Sequence, residues 1–489
     1  MGGLTAAALA AKAGKRVLVL EANYLPGGCS SSYWRKGYVF ESGATTLTGL
    51  DEGQPLGWLL RELDLKLDYE PLDPAITIHL DGQAVRRFQD REKWVAESIR
   101  VFGQPEAQHK LWQRLFRLSD FVWRAALRNR RFPPTSVADV LSLLRANPPK
   151  DWLAPRWALV STATYLRRLG MLENEPFVRF LNEQLLITAQ STAPDTPLLF
   201  AAPALCYTNY TNVNLRGGMI QLPMALLGYL GRHQGAIKLR CPVTRIEPLP
   251  GGGHRVHTAT DEVFEAENVI SNLPAWNLTG LLPEKESERQ QRAASQLPKY
   301  WGAATMGVVH EDVFPPDQSL HHQLVLPAGQ TLPETGSKSV FVSFSLADDV
   351  ARSPDGHRVL AISTHAQDPA RWLALSREDH AAAKYRAQEA ILAVLEAQLP
   401  GFSRAHMVYH TTSTPLDWQQ WTRRKDGNVG GVPQRMGRLP WQWAGATTKL
   451  PGFYRVGDTV YPGQGIPGVV LGGMLAAERL RSSEKSSAS

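Results

Sequence analysis

The alternation of apolar and polar positions begins with a helix that hands over to a strand. Residues 4–13 are rich in Ala and Leu, which favour helix, and Gly14 stands where a helix C-terminus recruits glycine. Arg16 then opens a short apolar run, Val17-Leu18-Val19-Leu20, closed by Glu21. Such a run predicts a strand buried on both faces, as in a parallel sheet. Helix, turn, strand and acidic residue make up the second half of a dinucleotide-binding βαβ unit.

Residues 76–204 are rich in Trp, Arg and Leu, with breaks at Pro133-Pro134 and Pro148-Pro149, and are expected to be mostly helical. Inside this block Leu111, Leu115, Leu118, Val122 and Ala125 recur at helical spacing among Arg114, Arg117, Arg124, Arg128, Arg130 and Arg131. With Trp112 and Trp123 nearby, that stretch fits a basic amphipathic helix lying in a membrane interface. The reading preferred here is a helix packed on the core with a solvated basic face. Arg216-Gly217-Gly218 leads into an apolar helix near residues 222–230. Short strands are expected at 237–239, 243–246, 255–258 and 269–272, with Gly251-Gly252-Gly253 as a hairpin turn. Strands at 339–344 and 358–363, a long helix at 381–399, a strand at 453–456 and a closing helix at 469–480 follow. The polar, Ser-rich residues 481–489 are expected to be flexible.

Composition narrows the class. The 489 residues are 43% hydrophobic and 20% charged, a globular balance with enough chain for two intertwined domains. The formal charge of +7 is spread without a basic block, so nucleic acid is set aside, while an anionic membrane surface suits it. Cys29, Cys206 and Cys241 are far apart and odd in number, which argues against a disulfide framework and for a reducing compartment. No apolar run approaches the roughly 18 residues of a membrane-spanning helix, and no signal core follows the start. His310, His321 and His322 lack metal-ligand spacing, and no G-x-S-x-G elbow occurs.

The candidate chemistry sits at the two ends of the chain. In a G-x-G-x-x-G fingerprint, glycines bring backbone N–H groups and a helix N-terminus to a pyrophosphate. An acid about 20 residues on holds a ribose hydroxyl. Gly2 and Gly3 fit the end of that loop and Glu21 fits the acid. The strand and glycines that open the fingerprint do not precede Met1. The expectation is therefore that Met1 lies inside a longer reading frame. After Glu21 come Pro26-Gly27-Gly28-Cys29-Ser30-Ser31 and then Gly37-Tyr38-Val39-Phe40-Glu41-Ser42-Gly43. Near the other end stand Phe453-Tyr454-Arg455-Val456-Gly457-Asp458-Thr459 and Tyr461-Pro462-Gly463-Gln464-Gly465-Ile466-Pro467-Gly468-Val469.

These segments resemble those of the phytoene desaturases, carotenoid isomerases and related flavin amine oxidases. Residues 216–272 and 412–415 extend the resemblance. Two positions depart from it: Glu41, where many desaturases carry Asp, and Ala44, where they often carry Pro. The resemblance implies an α/β fold. It places a discontinuous Rossmann-type FAD-binding domain at 1–75, 205–280 and 440–480, and an α+β substrate-binding domain at 76–204 and 281–439. It implies FAD as cofactor, held by Gly2, Gly3, Glu21, Gly27, Gly28, Cys29, Ser30, Val243, Gly457, Asp458, Gly465, Ile466, Pro467, Gly468 and Val469. Val243 would be on the adenine side, Asp458 at the ribityl or phosphate-side hydroxyls, and residues 465–469 would present N–H groups to the flavin ring.

The implied substrate is a carotenoid drawn from the inner face of the cell membrane, where a cytoplasmic enzyme would bind peripherally. The implied reaction is desaturation of an acyclic carotenoid, of the 3,4 type. Cis–trans isomerisation by reduced flavin is the alternative, toward which Gln464 and the run Cys29-Ser30-Ser31-Ser32 lean. An amine oxidase would carry a Lys near the flavin and an aromatic cage. A flavin-free chain binding lipid or a partner is the reading of another class, and bound flavin would exclude it.

Overall fold

The computed structural model describes residues 1–295, 301–354, 356–438 and 442–487. Helix α1 spans Gly2–Lys12 and strand β1 Val17–Leu20. Strands β2 (Ile76–Leu80) and β3 (Gln83–Arg87) follow, then helices α2 (Pro105–Arg128), α3 (Val137–Ala146), α4 (Glu175–Thr188) and α5 (Leu198–Cys206). Helix α6 (Gln221–Arg232) leads to β4 (Gly235–Lys238), β5 (Val243–Pro248), β6 (His254–Thr258), β7 (Val263–Ala266) and β8 (Val269–Ser271). The second half contains β9 (Gly302–Glu311), β10 (His321–Val325), β11 (Ser339–Phe344), β12 (His357–Ala366), α7 (Arg377–Gln398), β13 (Met407–Ser413), β14 (Phe453–Arg455) and α8 (Ile466–Ser487).

The chain ends meet in one layer. Strand β1 pairs in parallel with β4, and β8 pairs in parallel with β14. Ala6, Ala7, Ala8, Ala10 and Ala11 are all buried, and their small side chains let α1 pack closely on several sides. At Gly473 a Cβ would stand 2.5 Å from the Gly2 carbonyl oxygen, so the backbones of α1 and α8 touch. Among the described residues each of β1 and β8 is paired along one edge only. Leu18, expected to be buried, is 43% exposed, because β1 opens onto a cavity where a two-sided sheet would have covered it.

A seven-stranded sheet forms the second layer, in the order β13-β9-β12-β11-β10-β2-β3, antiparallel except where β10 meets β2. The stretch expected to be mostly helical thus opens with a hairpin. Ile76, Ile78, Leu80 and Val85 are buried at period two, and Asp81-Gly82 turns at positive φ. Beyond it the helices form as expected. Leu111, Leu115 and Leu118 are buried, with Arg117 and Arg124 exposed, so α2 packs on the core with a solvated basic face. Its core partners include Trp94, Phe180 and Leu205.

Arg87 lies wholly inside this helical core. Burial lowers its pKa to about 10, and its guanidinium sits 4.1 Å over the Trp94 ring and donates to Gln184 Oε1. Helix α8 continues to Ser487, past residue 480 where its apolar pattern stops. Residues 481–487 are therefore helical where a flexible tail was expected, and 488–489 fall outside the described residues. Among the described residues no helix is long and apolar enough to cross a membrane.

Candidate active site

A cavity of 1780 Å³ runs between the two layers. Single-ligand pockets are typically about 300–1,000 Å³, so this one has room for two molecules. All fifteen residues singled out for the cofactor line it.

One end is a cradle of backbone. At Gly2 a Cβ would lie 3.0 Å from Asn272 Oδ1, 3.1 Å from the Gly457 nitrogen and 3.1 Å from the Val469 carbonyl oxygen. The first turn of α1 is thus pressed against the ends of β8 and β14 and the start of α8. Asn272 accepts a hydrogen bond from the Gly3 N–H at 2.9 Å. The N-terminus of α1, the positive end of its dipole, faces the cavity and suits a pyrophosphate.

Glu21, at the end of β1, accepts from the Asn23 N–H at 2.8 Å. Burial pushes its pKa up, the Asn23 hydrogen bond opposes this, and the carboxylate borders the cavity as a ribose-binding acid should. Val243 lines the same side.

The middle of the cavity is ringed by three loops. Gly27 and Gly28 have φ of 99° and 60°, which admit glycine readily, and a Cβ at Gly27 would strike Pro223 at 2.8 Å. They open the short helical turn Gly28–Ser30. The Cys29 carbonyl oxygen accepts from the Ala44 N–H at 2.8 Å, which binds this loop to the 43–46 segment. Burial raises the Cys29 thiol pKa, which favours its neutral form.

In the third loop Gly463 and Gly465 have φ of 120° and 84° and turn the chain into α8. Residues 466–469 border the cavity at that helix's N-terminus. Gln464 is spent on structure. Its Nε2 donates to the Ile187 and Thr188 carbonyl oxygens at 3.1 Å each, and its Oε1 accepts from the Gly431 N–H. The loop is thereby tied to α4.

Residues that the sequence did not single out complete the site. Asp458 is paired with Arg424 at 3.0 Å, and Arg424 also donates to the Asn428 and Gly430 carbonyl oxygens. Arg424 lies just beyond the Pro415–Thr422 helix, which starts in a capping box between Thr414 and Asp417. The family-like segment 412–415 therefore acts by launching the chain toward the cavity.

Glu41 is buried beside Arg352 at 3.2 Å and accepts from Ser32 Oγ at 2.6 Å and from the Met219 N–H. Burial raises its pKa and Arg352 offsets part of that. The Glu found in place of Asp locks the 32–41 hairpin to the loop carrying Gly217 and Gly218.

The far wall is the seven-stranded sheet, which presents Ala303, Thr305, Phe341, Ser343, Ser363, His365 and His321. Ser343 Oγ lies 2.7 Å from His321 Nδ1 and donates to Thr45 Oγ1 at 2.8 Å. Burial holds His321 neutral, its pKa lowered to about 3. His322 also borders the cavity but is bonded to the Ser319 carbonyl oxygen and His79, and His310 is bonded to the Glu311 and Ser403 carbonyl oxygens. All three are core histidines, and no cluster able to hold a metal occurs among the described residues. The three cysteines are unpaired.

Comparison with known proteins agrees with this geometry. Residues 1–481 match the model of the flavin containing amine oxidoreductase family. The chain is 26% identical to a chloroplastic prolycopene isomerase of Daucus carota, over 98% of this chain and 78% of that protein. It is 24% identical to a lycopene-forming phytoene desaturase of a Paracoccus species, over 96% and 93%. A redesigned putrescine oxidase shares the fold at a TM-score of 0.63 and 18% identity, covering 99% of this chain and 96% of that one. A helix N-terminus, the Glu21 carboxylate and a glycine-turned loop line one cavity. This chain is an FAD-dependent oxidoreductase belonging to the flavin containing amine oxidoreductase family.

Proposed function

We propose that this flavoenzyme acts on an acyclic carotenoid and introduces a double bond, in the manner of a 3,4-type desaturation. The observation carrying this reading is the cavity, which continues from the cofactor cradle to a long wall formed by β9–β12, α4 and α5. In this reading residues 1–75, 205–280 and 440–480 hold FAD, and 76–204 and 281–439 cover it. Glu21 takes a ribose hydroxyl, Gly2 and Gly3 take the pyrophosphate, and Val243 meets the adenine. Asp458, its charge balanced by Arg424, takes a hydroxyl of the ribityl chain. Residues 465–469 aim N–H groups at the ring, where they favour the negative charge of the reduced state. FAD, when bound, would supply a hydride acceptor for one C–H bond, while the neighbouring carbon loses a proton that ends in bulk water, so that two C–H bonds give way to one C=C bond. The chain's part is to align one bond of the polyene, exclude water and fix the ring by the Gly27–Ser30 and Gly465–Val469 loops. Val122, Phe200, Pro203 and Ala204 add an apolar surface for the polyene.

Cis–trans isomerisation is the second reading. The likeness to prolycopene isomerases over 98% of the chain favours it. Incubation of the protein, loaded in one sample with oxidised FAD and in another with FAD reduced by dithionite, with acyclic carotenoids in liposomes, followed by product mass, separates the two. Loss of two hydrogens supports the desaturase. Unchanged mass with altered retention supports the isomerase, and no change in either sinks both.

Membrane contact belongs to the same proposal, at different residues from those the sequence suggested. Helix α3 exposes Val137, Val140, Leu141 and Leu144, and the following segment exposes Trp152, Leu153 and Leu159, at 76% for Val137 and 72% for Leu159. Arg145, Lys150 and Arg156 lie among them. An apolar patch with a basic rim fits peripheral binding at the anionic inner face of the cell membrane. The double variant Leu141→Asp, Leu144→Asp should leave liposomes in a flotation assay, while Arg117→Glu, on α2, should not.

A further inference from the structure

Desaturation releases a proton as well as a hydride, so some group beside the substrate must take that proton first. Asp458 is committed to Arg424, and Glu21 stands away at the end of β1. His322 is bonded at both ring nitrogens. His321 differs. It is buried on β10 and borders the cavity. Ser343 is its direct partner across β10 and β11, so strand register sets the two side chains against each other. His321 Nδ1 lies 2.7 Å from Ser343 Oγ, and Ser343 Oγ donates to Thr45 Oγ1 at 2.8 Å. A serine hydroxyl has one proton to give, so toward His321 it accepts. The imidazole is therefore the Nδ1–H tautomer, with its lone pair on Nε2. Thr46 Oγ1 is 3.3 Å from each ring nitrogen, and a point equidistant from both lies off the axis of either lone pair. Thr45 and Thr46 follow Ala44, whose N–H is bonded to the Cys29 carbonyl oxygen. That contact sets the imidazole beside the Gly27–Ser30 loop proposed to fix the flavin ring.

Resting on the desaturase reading, we infer that His321 is the catalytic base: Nε2 takes the substrate proton while Ser343 and Thr45, as positioning residues, carry the Nδ1 proton away. The electron pair of one C–H bond leaves with its hydrogen as hydride to the cofactor. On the neighbouring carbon the C–H electrons form the new C=C bond, and the proton joins Nε2. The Nδ1 proton moves to Ser343 Oγ, that of Ser343 to Thr45 Oγ1, and that of Thr45 to water in the cavity. After product leaves, water takes the Nε2 proton and the chain runs backwards to restore Nδ1–H. One proton per double bond thus reaches water. A polyene that has lost hydride is an allylic cation with a strongly acidic neighbouring C–H, so a weak base suffices. Burial lowers the His321 pKa to about 3, which disfavours an imidazolium and favours giving up one proton as another arrives.

Two measurements on the FAD-loaded full chain test this. With isotope-labelled histidine, proton–nitrogen correlation spectra at neutral pH should show one imidazole held as the Nδ1–H tautomer. That signal should be missing in His321→Ala and moved toward the Nε2–H tautomer in Ser343→Ala. The second measurement is turnover of acyclic carotenoids in liposomes. His321→Ala should lower kcat about a hundredfold with little change in KM, and added imidazole should restore part of the loss. Ser343→Ala keeps the imidazole and should lower kcat about tenfold, with a smaller solvent deuterium isotope effect than the parent. Should His321→Ala lose its flavin absorbance, Ser343→Ala carries the test alone. An Nε2–H tautomer in the unaltered protein overturns the inference. Parental kcat in either variant does the same, as does a slow His321→Ala protein that imidazole leaves unchanged. If the unaltered protein shows the Nδ1–H tautomer but removes no hydrogens from any acyclic carotenoid, the desaturase reading falls and takes the inference with it.

Discussion

At the cradle end of the cavity the ligand would meet backbone. Gly2, Gly27, Gly465 and Gly468 remove side chains so that helix N-termini and turns can approach it. At the sheet end the ligand would meet side chains, displayed at period two from paired antiparallel strands. The first end gains specificity from chain path and the second from residue choice. Substitution should therefore be felt differently at each: as a structural failure at the cradle, and as altered selectivity on the sheet.

The largest effect is expected at the crossing of α1 and α8. In Gly473→Val the new Cβ would sit 2.5 Å from the Gly2 carbonyl oxygen and 2.7 Å from Thr5 Cβ. Backbone on one side and a helix on the other leave little room to relax, so overpacking should cost about 3 kcal/mol or more. The protein should purify without flavin absorbance and melt earlier. Ser363→Ala on the sheet removes one cavity-facing hydroxyl and should leave melting within about 0.5 kcal/mol of the parent. Equal destabilisation of the two variants would erase the proposed division.

That division also explains what could be read in the sequence. Gly27-Gly28-Cys29-Ser30 and Gly463 to Val469 are contiguous, and their turns need glycine at positive φ, so the signal lies in a few neighbouring letters. Helix α1, strand β1 and Glu21 were legible for the same reason. The sheet wall was not. Thr305, Phe341, Ser363 and His365 come from three strands far apart in the chain, and which of them face one another depends on pairing register. The hairpin of β2 and β3 was hidden by its setting, because it opens a segment whose later residues are helical. Asn272 and Arg424 were missed because a polar residue at a strand end or after a short helix has no pattern of its own. Their roles arise only when Gly3 and Asp458 are brought to them.

Arg424 gives the next effect. Its side chain is 13% exposed and that of Asp458 19%, so the pair is largely removed from water. Arg424→Met leaves the carboxylate without its partner and deprives the Asn428 and Gly430 carbonyl oxygens of their donor. Breaking a buried pair from one side is expensive, here about 3 kcal/mol. Urea unfolding should show this loss, with flavin retained less well than in the parent at equal urea. Unchanged flavin retention would mean that Asp458 does not touch the cofactor, and would shift weight from the carboxylate to the Gly457 and Gly465 backbone.

The smallest effect is also the most specific to the cradle, and it concerns pH. Burial raises the Glu21 pKa above the ordinary 4.5. Ribose hydroxyls donate to a carboxylate, so FAD should bind the ionised form more tightly and draw the pKa back down. Affinity is then full above the raised pKa of the free protein. It should decline as pH falls through that value, because a proton must be released before the cofactor binds. Flavin fluorescence titrations carried from neutral pH into the acid range should show this decline in the parent. In Glu21→Gln the amide oxygen still accepts a hydrogen bond, but its charge and its proton are gone. Affinity at pH 7 should drop about tenfold, about 1.4 kcal/mol for a charge-assisted bond made neutral, and the acid-side slope should flatten. A variant that keeps the slope would locate the titrating group elsewhere along the cavity and leave Glu21 as a tie to Asn23 alone.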